Sequence, residues 1–400
     1  MSDRKLLMIP GPIELSPAVL TALKAAPPSH VAPDFIEIFG ASLELMRQVW
    51  GAGPKSQPFI IAGSGTIAME MAVANVVARG QRALVVNTGY FSARMAEMLR
   101  RRGVEVGEVG APAGKAPSLE EIETALDSAQ QDGRAYDALF ATHVDTSTGV
   151  RVDAQAIARA ADRRGLLSVF DGVCATAGEA FEMQSWGADI YLTASQKAIG
   201  APPGLALMVF SERALEARKS LSEPPPMSVD IEQWSPIMQA YEARKGSYFS
   251  TPATSLVCAL FASLSEITAF EASGQRGIGP RIAAHQRCAD GMRAAWAALG
   301  LELFCEPDLS ANTMSALRYP DGVDGARLLA GIKARGVVVA GGLYPGRQDE
   351  YFRVGHMGHV IERPSLLAKT VRAVGETLVE NGHPADVEAA LATLRERVGG

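Results

Sequence analysis

Seven short apolar runs, 59–62, 83–87, 104–109, 138–143, 166–171, 189–193 and 205–210, are separated mostly by helical patterns such as 67–78, 119–131 and 154–164. Runs of this length bounded by turn residues suit buried strands, and strands alternating with helices predict an α/β fold with a doubly wound, mostly parallel sheet. In such sheets ligands sit beyond the carboxyl ends of the strands. The residues just after each run therefore matter. Gly63-Ser64-Gly65-Thr66 succeeds the first, Thr88-Gly89-Tyr90-Phe91 the second, Asp145-Thr146-Ser147-Thr148-Gly149 the fourth, and Ser195-Gln196-Lys197 the sixth; Asp171 ends the fifth. Five chemically capable loops on one edge make a site.

The chemistry can be read loop by loop. Gly63-Ser64-Gly65-Thr66 lies between a strand and a helix, where free N–H groups and small residues cradle a phosphate. No Walker lysine follows, so a phosphate monoester fits better than a nucleoside triphosphate. Phe91 suits stacking on a planar ring, or plugging a core. Lys197, between an apolar strand and the Pro202-Pro203-Gly204 turn, is placed for partial desolvation, which lowers an amine's pKa and makes it a nucleophile toward aldehydes. Taken singly, Lys197 reads equally as a surface ammonium and Asp171 as a helix cap. Together they are the pair a pyridoxal phosphate site requires, a lysine for the aldehyde and an aspartate for the pyridinium nitrogen.

The rest of the chain excludes other classes. With 400 residues, 48% of them hydrophobic, it can bury more than one core, and a formal net charge of −6 with interspersed signs offers no nucleic-acid track or membrane-surface patch. Cys174, Cys258, Cys288 and Cys305 are scattered without Cys-x-x-Cys pairs, which fits a reducing cytoplasm. No run approaches a membrane span or a signal peptide. A long helix at 255–272 reads as a spine between a large cofactor-binding domain, 1–258, and a smaller α+β domain, 259–400. In the smaller domain, strand-like runs at 302–304, 313–319 and 337–340 accompany Arg353, which suits bidentate capture of a carboxylate. His356 and His359 lack a third ligand nearby, so no metal is expected. Pro10-Gly11-Pro12 reads as a stiff lead-in to a helix opened by Ser16-Pro17.

In this order, Pro10-Gly11-Pro12, Gly63-Ser64-Gly65-Thr66, Thr146-Ser147-Thr148-Gly149, Asp171-Gly172-Val173, Ser195-Gln196-Lys197 with Pro202-Pro203-Gly204, and Arg353-Val354-Gly355-His356-Met357-Gly358 resemble the class V aminotransferases. More narrowly the chain is similar to the serine/alanine–glyoxylate (serine–pyruvate) group, over roughly residues 6 to 360. The resemblance implies a pyridoxal-phosphate transferase of fold type I. Lys197 would link to the cofactor and Asp171 would pair with its ring nitrogen. Val173 and Phe91 would pack on the two ring faces, Phe91 standing where many members have tryptophan. Gly65, Thr66 and Gln196 would hold the phosphate, Thr146 would lie near the ring hydroxyl, and Arg353 would bind the substrate carboxylate. Tyr248 and Thr251 would reach the neighbouring subunit's phosphate, which implies a homodimer. The expected reaction is ping-pong transamination from serine or alanine to glyoxylate or pyruvate. Alternatives on the same scaffold are 2-aminoethylphosphonate–pyruvate transamination and cysteine desulfuration, the latter needing an exposed nucleophilic thiol. A non-catalytic binding protein of this fold would lack the lysine or the aspartate; both are present.

Overall fold

The computed structural model describes residues 4–398. Seven strands form its central sheet: β1 (Gln57–Ala62), β2 (Arg82–Asn87), β3 (Glu105–Gly110), β4 (Ala138–Thr142), β5 (Leu167–Asp171), β6 (Ile190–Ala194) and β7 (Leu205–Phe210). Every residue of β4, β5, β6 and β7 is buried, as continuous apolar runs require when helices cover both faces. The order is β1-β7-β6-β5-β4-β2-β3. β3 lies at an edge, and its residues are exposed or half-buried.

Neighbours from β6 through β3 pair in parallel, whereas β7 runs antiparallel to both β6 and β1. Two reversals restore direction, so β1 ends on the same edge as β6. Gly63 after β1 meets Gly204 before β7, N–H to carbonyl, at 2.8 Å. The phosphate-type loop after β1 thus joins the edge that carries Asp171 and Lys197. Helix α1 (Gly65–Val76) starts at that edge, and so does α2 (Tyr90–Arg101).

The buried apolar side chains fall mainly into two clusters. One packs the sheet between its helices, including Phe35, Phe140, Tyr191 and Leu264. The other joins residues from both chain ends, including Leu6, Met8, Trp296, Phe352 and Leu391. Its antiparallel sheet contains β8 (Met314–Arg318), β9 (Ala340–Gly341) and β10 (Tyr351–Gly355), in the order β8-β10-β9. The run expected as one strand at 337–340 is divided: Val337–Val338 pairs with Leu6–Leu7, and Ala340 pairs with Arg353. At 302–304 only Leu303 bridges, to Leu317. The long helix is Thr254–Ala269, ending before a small hairpin of Glu271–Ala272 with Gln275–Arg276. Ser273 and Gly274 take positive φ of 52° and 75° at its tip, a turn that the helical pattern concealed.

Pairing of Leu6–Leu7 continues as Gly355 donates to the Met8 carbonyl at 2.7 Å. A Cβ on Gly355 would overlap the Ile9 carbonyl oxygen, so only glycine lets the arm lie this close. The smaller core therefore aims the N-terminal arm, and the arm's next residues reach the site.

Candidate active site

Lys197 lies in a turn fastened by Ser195, whose hydroxyl donates to the Pro202 carbonyl at 2.5 Å and accepts from Leu205 N–H at 3.2 Å. Only 8% of Lys197 is exposed. Burial lowers its amine pKa, the nearby Arg353 charge lowers it further, and Cys174 and Asp171 oppose that shift. Its Nζ donates to the Pro10 carbonyl. Gly11, with φ +91°, lies so close that an added Cβ would come within 2.5 Å of the lysine Cδ. Pro10 and Gly11 thus belong to the lysine pocket, a role that a reading as a helix lead-in misses. Local sequence held no signal for it, since 187 residues separate Pro10 from Lys197.

Asp171 closes β5 and is 2% exposed. Burial pushes its carboxyl up to about 7, helped by Asp145 and opposed by the Val173 N–H, Lys197 and Arg94. Oδ1 accepts from Val173 N–H at 2.8 Å, and among the described residues no hydrogen bond reaches Oδ2. A cationic ring nitrogen beside that oxygen would restore the ionised form. Val173 faces Gly65: a Cβ there would meet Val173 Cγ2 at 3.0 Å.

The N-termini of α1 and α2 differ at this edge. Asp145, fully buried, fills the start of α2 by accepting from Phe91 N–H at 3.1 Å and Ser92 N–H at 3.2 Å; it also accepts from the Ser147 hydroxyl at 2.6 Å. At α1 the N-cap Ser64 makes no side-chain cap bond, leaving the N–H groups near Gly65 and Thr66 for an anion. Arg94 adds charge there, donating to Thr66 Oγ1 at 3.4 Å and lying over the Phe91 ring, 5.3 Å from its centroid. Sequence reasoning passes over both Asp145 as a cap and Arg94. An arginine one turn into a helix that begins at a strand's carboxyl end was the available signal. Gln196 Oε1 is buried without a hydrogen-bond partner. The open helix start and the unused oxygen of Asp171 fit pyridoxal phosphate, an anion at the first and a cationic ring nitrogen at the second.

Arg353, on β10, donates from Nε to the Gly341 carbonyl at 2.8 Å and from Nη1 to the Thr146 carbonyl at 3.0 Å. No carboxylate pairs with it among the described residues, and burial lowers its pKa. Thr146 is buried beneath it. Tyr351 braces the same loops, donating to the Ser147 carbonyl and accepting from Leu343 and Tyr344 N–H groups. Tyr248 and Thr251 make no hydrogen bond to the residues above, although Thr251 lines a cavity with Ala62 and Ile67. Tyr248 is 64% exposed, with its hydroxyl 3.5 Å from that of Thr251 and its ring beside His30.

The remaining candidates have structural partners. His356 Nε2 lies 2.9 Å from the Ser315 hydroxyl, and His359 accepts from Arg363 at 3.3 Å. The Cys305 thiol is buried and pushed up to about 11 by that burial, unlike the exposed thiol a desulfurase needs. No helix among the described residues is long and apolar enough to cross a membrane.

A site of this construction on this fold defines a pyridoxal-phosphate transferase. The model of the aminotransferase class-V family matches residues 24–274, and the chain belongs to that family. Alanine–glyoxylate aminotransferase 1 of Saccharomyces cerevisiae is 37% identical over 367 residues, covering 88% of this chain and 91% of its own. L-Aspartate–glyoxylate aminotransferase of Paracoccus denitrificans is 31% identical over 400 residues, covering 99% and 96%. The crystal structure of an alanine–glyoxylate aminotransferase from Nostoc sp. superposes with a TM-score of 0.85 at 28% identity, covering 94% of this chain and 96% of that one. The protein is a pyridoxal-phosphate-dependent aminotransferase of fold type I.

Proposed function

We propose that this enzyme moves an amino group from a small amino acid, serine or alanine, to glyoxylate or pyruvate by a ping-pong route. Arg353 carries the reading: a half-buried guanidinium without a carboxylate partner, close enough to Lys197 to shift its amine, is arranged for a substrate carboxylate. Glyoxylate is named in both relatives cited above, which supports it as acceptor. They differ in donor. The close approach of Gly11 to Lys197 favours a small one.

In this reading the helix start at Gly65 and Thr66, with Gln196, would hold the phosphate, Val173 and Phe91 would flank the ring, and Thr146 would lie near its hydroxyl. When bound, pyridoxal phosphate supplies an aldehyde that carries the amino group and a ring that accepts electrons from the substrate's α-carbon. Asp171, ionised once a cationic ring nitrogen lies beside it, would keep that nitrogen protonated. Burial favours the neutral form of the Lys197 amine, the form in which Nζ can act as nucleophile and then move the α-proton. The Pro10 carbonyl orients Nζ, and Arg353 fixes the carboxylate so that the α-hydrogen faces the lysine. The exposure of Tyr248 and Thr251 supports a homodimer in which each subunit sends this loop to its neighbour's phosphate. We assign the large unit to 1–258, the smaller to 259–400, and the enzyme to the cytoplasm.

The test is a panel of donors, alanine, serine, aspartate and 2-aminoethylphosphonate, against glyoxylate and pyruvate. The reading requires the highest kcat/KM with alanine or serine, and a preference for either other donor overturns it. Sedimentation at working concentration tests the dimer; a monomer with full activity excludes shared sites.

A further inference from the structure

A cleft of about 580 Å³, whose lining does not include Lys197, lies between the helix Pro17–Lys24, the helix Thr254–Ala269, Arg281 and the stretch 359–363. At its floor is Arg281, only 5% exposed. One Nη donates to the Ala198 carbonyl at 3.1 Å, while Nε is buried without a partner. No carboxylate pairs with this guanidinium among the described residues. The charges of Glu362 and Glu266 offset the burial of this cation without making an ion pair with it, and the remaining cost falls if an anion from outside bonds to it directly. Around the rim lie Glu266, Glu271 and Glu362 with Arg363, and none forms an ion pair with another of the lining charges. Glu266 accepts from the Ser16 hydroxyl at 2.6 Å, and Arg363 donates to His359.

This distribution selects among ligands. A simple anion bound to Arg281 would face three carboxylates, and a cation attracted by the rim would meet Arg281 below. A molecule carrying both charges satisfies both layers, and the volume is ample for one. We propose that this cleft binds a small zwitterion of the α-amino-acid type, its carboxylate on Arg281 and its ammonium against the glutamates of the rim. The cleft is lined by Ile199 and Gly200, and Arg281 holds Ala198. Such a ligand would therefore contact the turn that carries Lys197.

Equilibrium dialysis of the holoenzyme with radiolabelled 2-aminoisobutyrate tests this, since that probe has no α-hydrogen to give up and survives contact with the active site. Two molecules per chain are expected, falling to one in Arg281→Gln, whereas Arg353→Lys retains the cleft molecule. The Glu362→Gln variant, changed at an exposed position, should weaken the cleft site roughly threefold or more. Acetate should compete at this site about tenfold less well than 2-aminoisobutyrate. Full binding in a folded Arg281→Gln protein overturns the site, as does a single bound molecule lost only in Arg353→Lys. Should Arg281→Gln fail to fold, Glu362→Gln and acetate decide: unchanged affinity, or acetate binding equally well, overturns the zwitterion assignment.

Discussion

Replacing Arg353 with lysine separates a substrate clamp from a structural brace. Arg353 directs Nε and one Nη1 hydrogen at the carbonyls of Gly341 and Thr146 and leaves the rest of its fork free. Lysine keeps the charge but loses the planar pair of donors. One charge-assisted hydrogen bond lost to the substrate corresponds to about 1.5–3 kcal/mol, or roughly 10- to 150-fold in kcat/KM. Because donor and acceptor each present a carboxylate, both KM values should rise in steady-state assays with alanine and glyoxylate. Cofactor content, read from absorbance, should stay at the wild-type level. Stability should also fall, since two carbonyls lose a donor at about 1 kcal/mol each, so a lower Tm alone decides nothing. Unchanged KM values for both substrates, in protein with a depressed Tm, would refute the clamp.

Asp171→Asn should retain the cofactor while turnover falls by roughly two decades, because a neutral amide does not hold the pyridinium proton; turnover within a factor of about two of wild type would reduce Asp171 to a cap. The same variant tests linkage in the cofactor-free protein. Buried His143, His285 and His356 have pKa values lowered to about 3, so the stability they contribute is present above their unfolded pKa and is lost as pH falls. Asp171, raised to about 7, works oppositely: its contribution is greatest below its unfolded pKa and is lost as pH rises toward 7. Denaturant titrations between pH 6 and 5 should therefore show Asp171→Asn losing stability more steeply than wild type, by up to about 1.4 kcal/mol per pH unit, and parallel slopes would contradict the raised carboxyl. Gly11→Ala, at a φ of +91° and 2.5 Å from the lysine Cδ, should cost about 1–3 kcal/mol in stability and shift the Pro10 carbonyl off Nζ. Its kcat should fall about tenfold, and wild-type kinetics would show the arm to be incidental.

The edge loops were legible because strand-to-helix switches and their residue types are local. Asp171 ends, and Lys197 follows, an apolar run whose strand the structure buries completely. Strand direction was not legible: Leu205–Phe210 has the same apolar pattern whether parallel or antiparallel, and only the turn from Lys197 to Gly204 reverses it. Contacts between distant residues were equally hidden. The Pro10 carbonyl at Lys197 depends on Leu6–Leu7 pairing with Val337–Val338, which neither segment announces. Asp145 reads as a turn residue until the start of α2 is placed against it. Arg353 was visible as a candidate, but the absence of a carboxylate partner emerges only from packing.

Borohydride reduction of the purified holoenzyme, followed by proteolysis and mass measurement, tests the central assignment most directly. The account predicts reduced cofactor on the peptide containing Lys197 alone, with that peptide unmodified in the absence of borohydride. Cofactor fixed to another lysine, or a Lys197 peptide left unmodified after complete reduction, would contradict it.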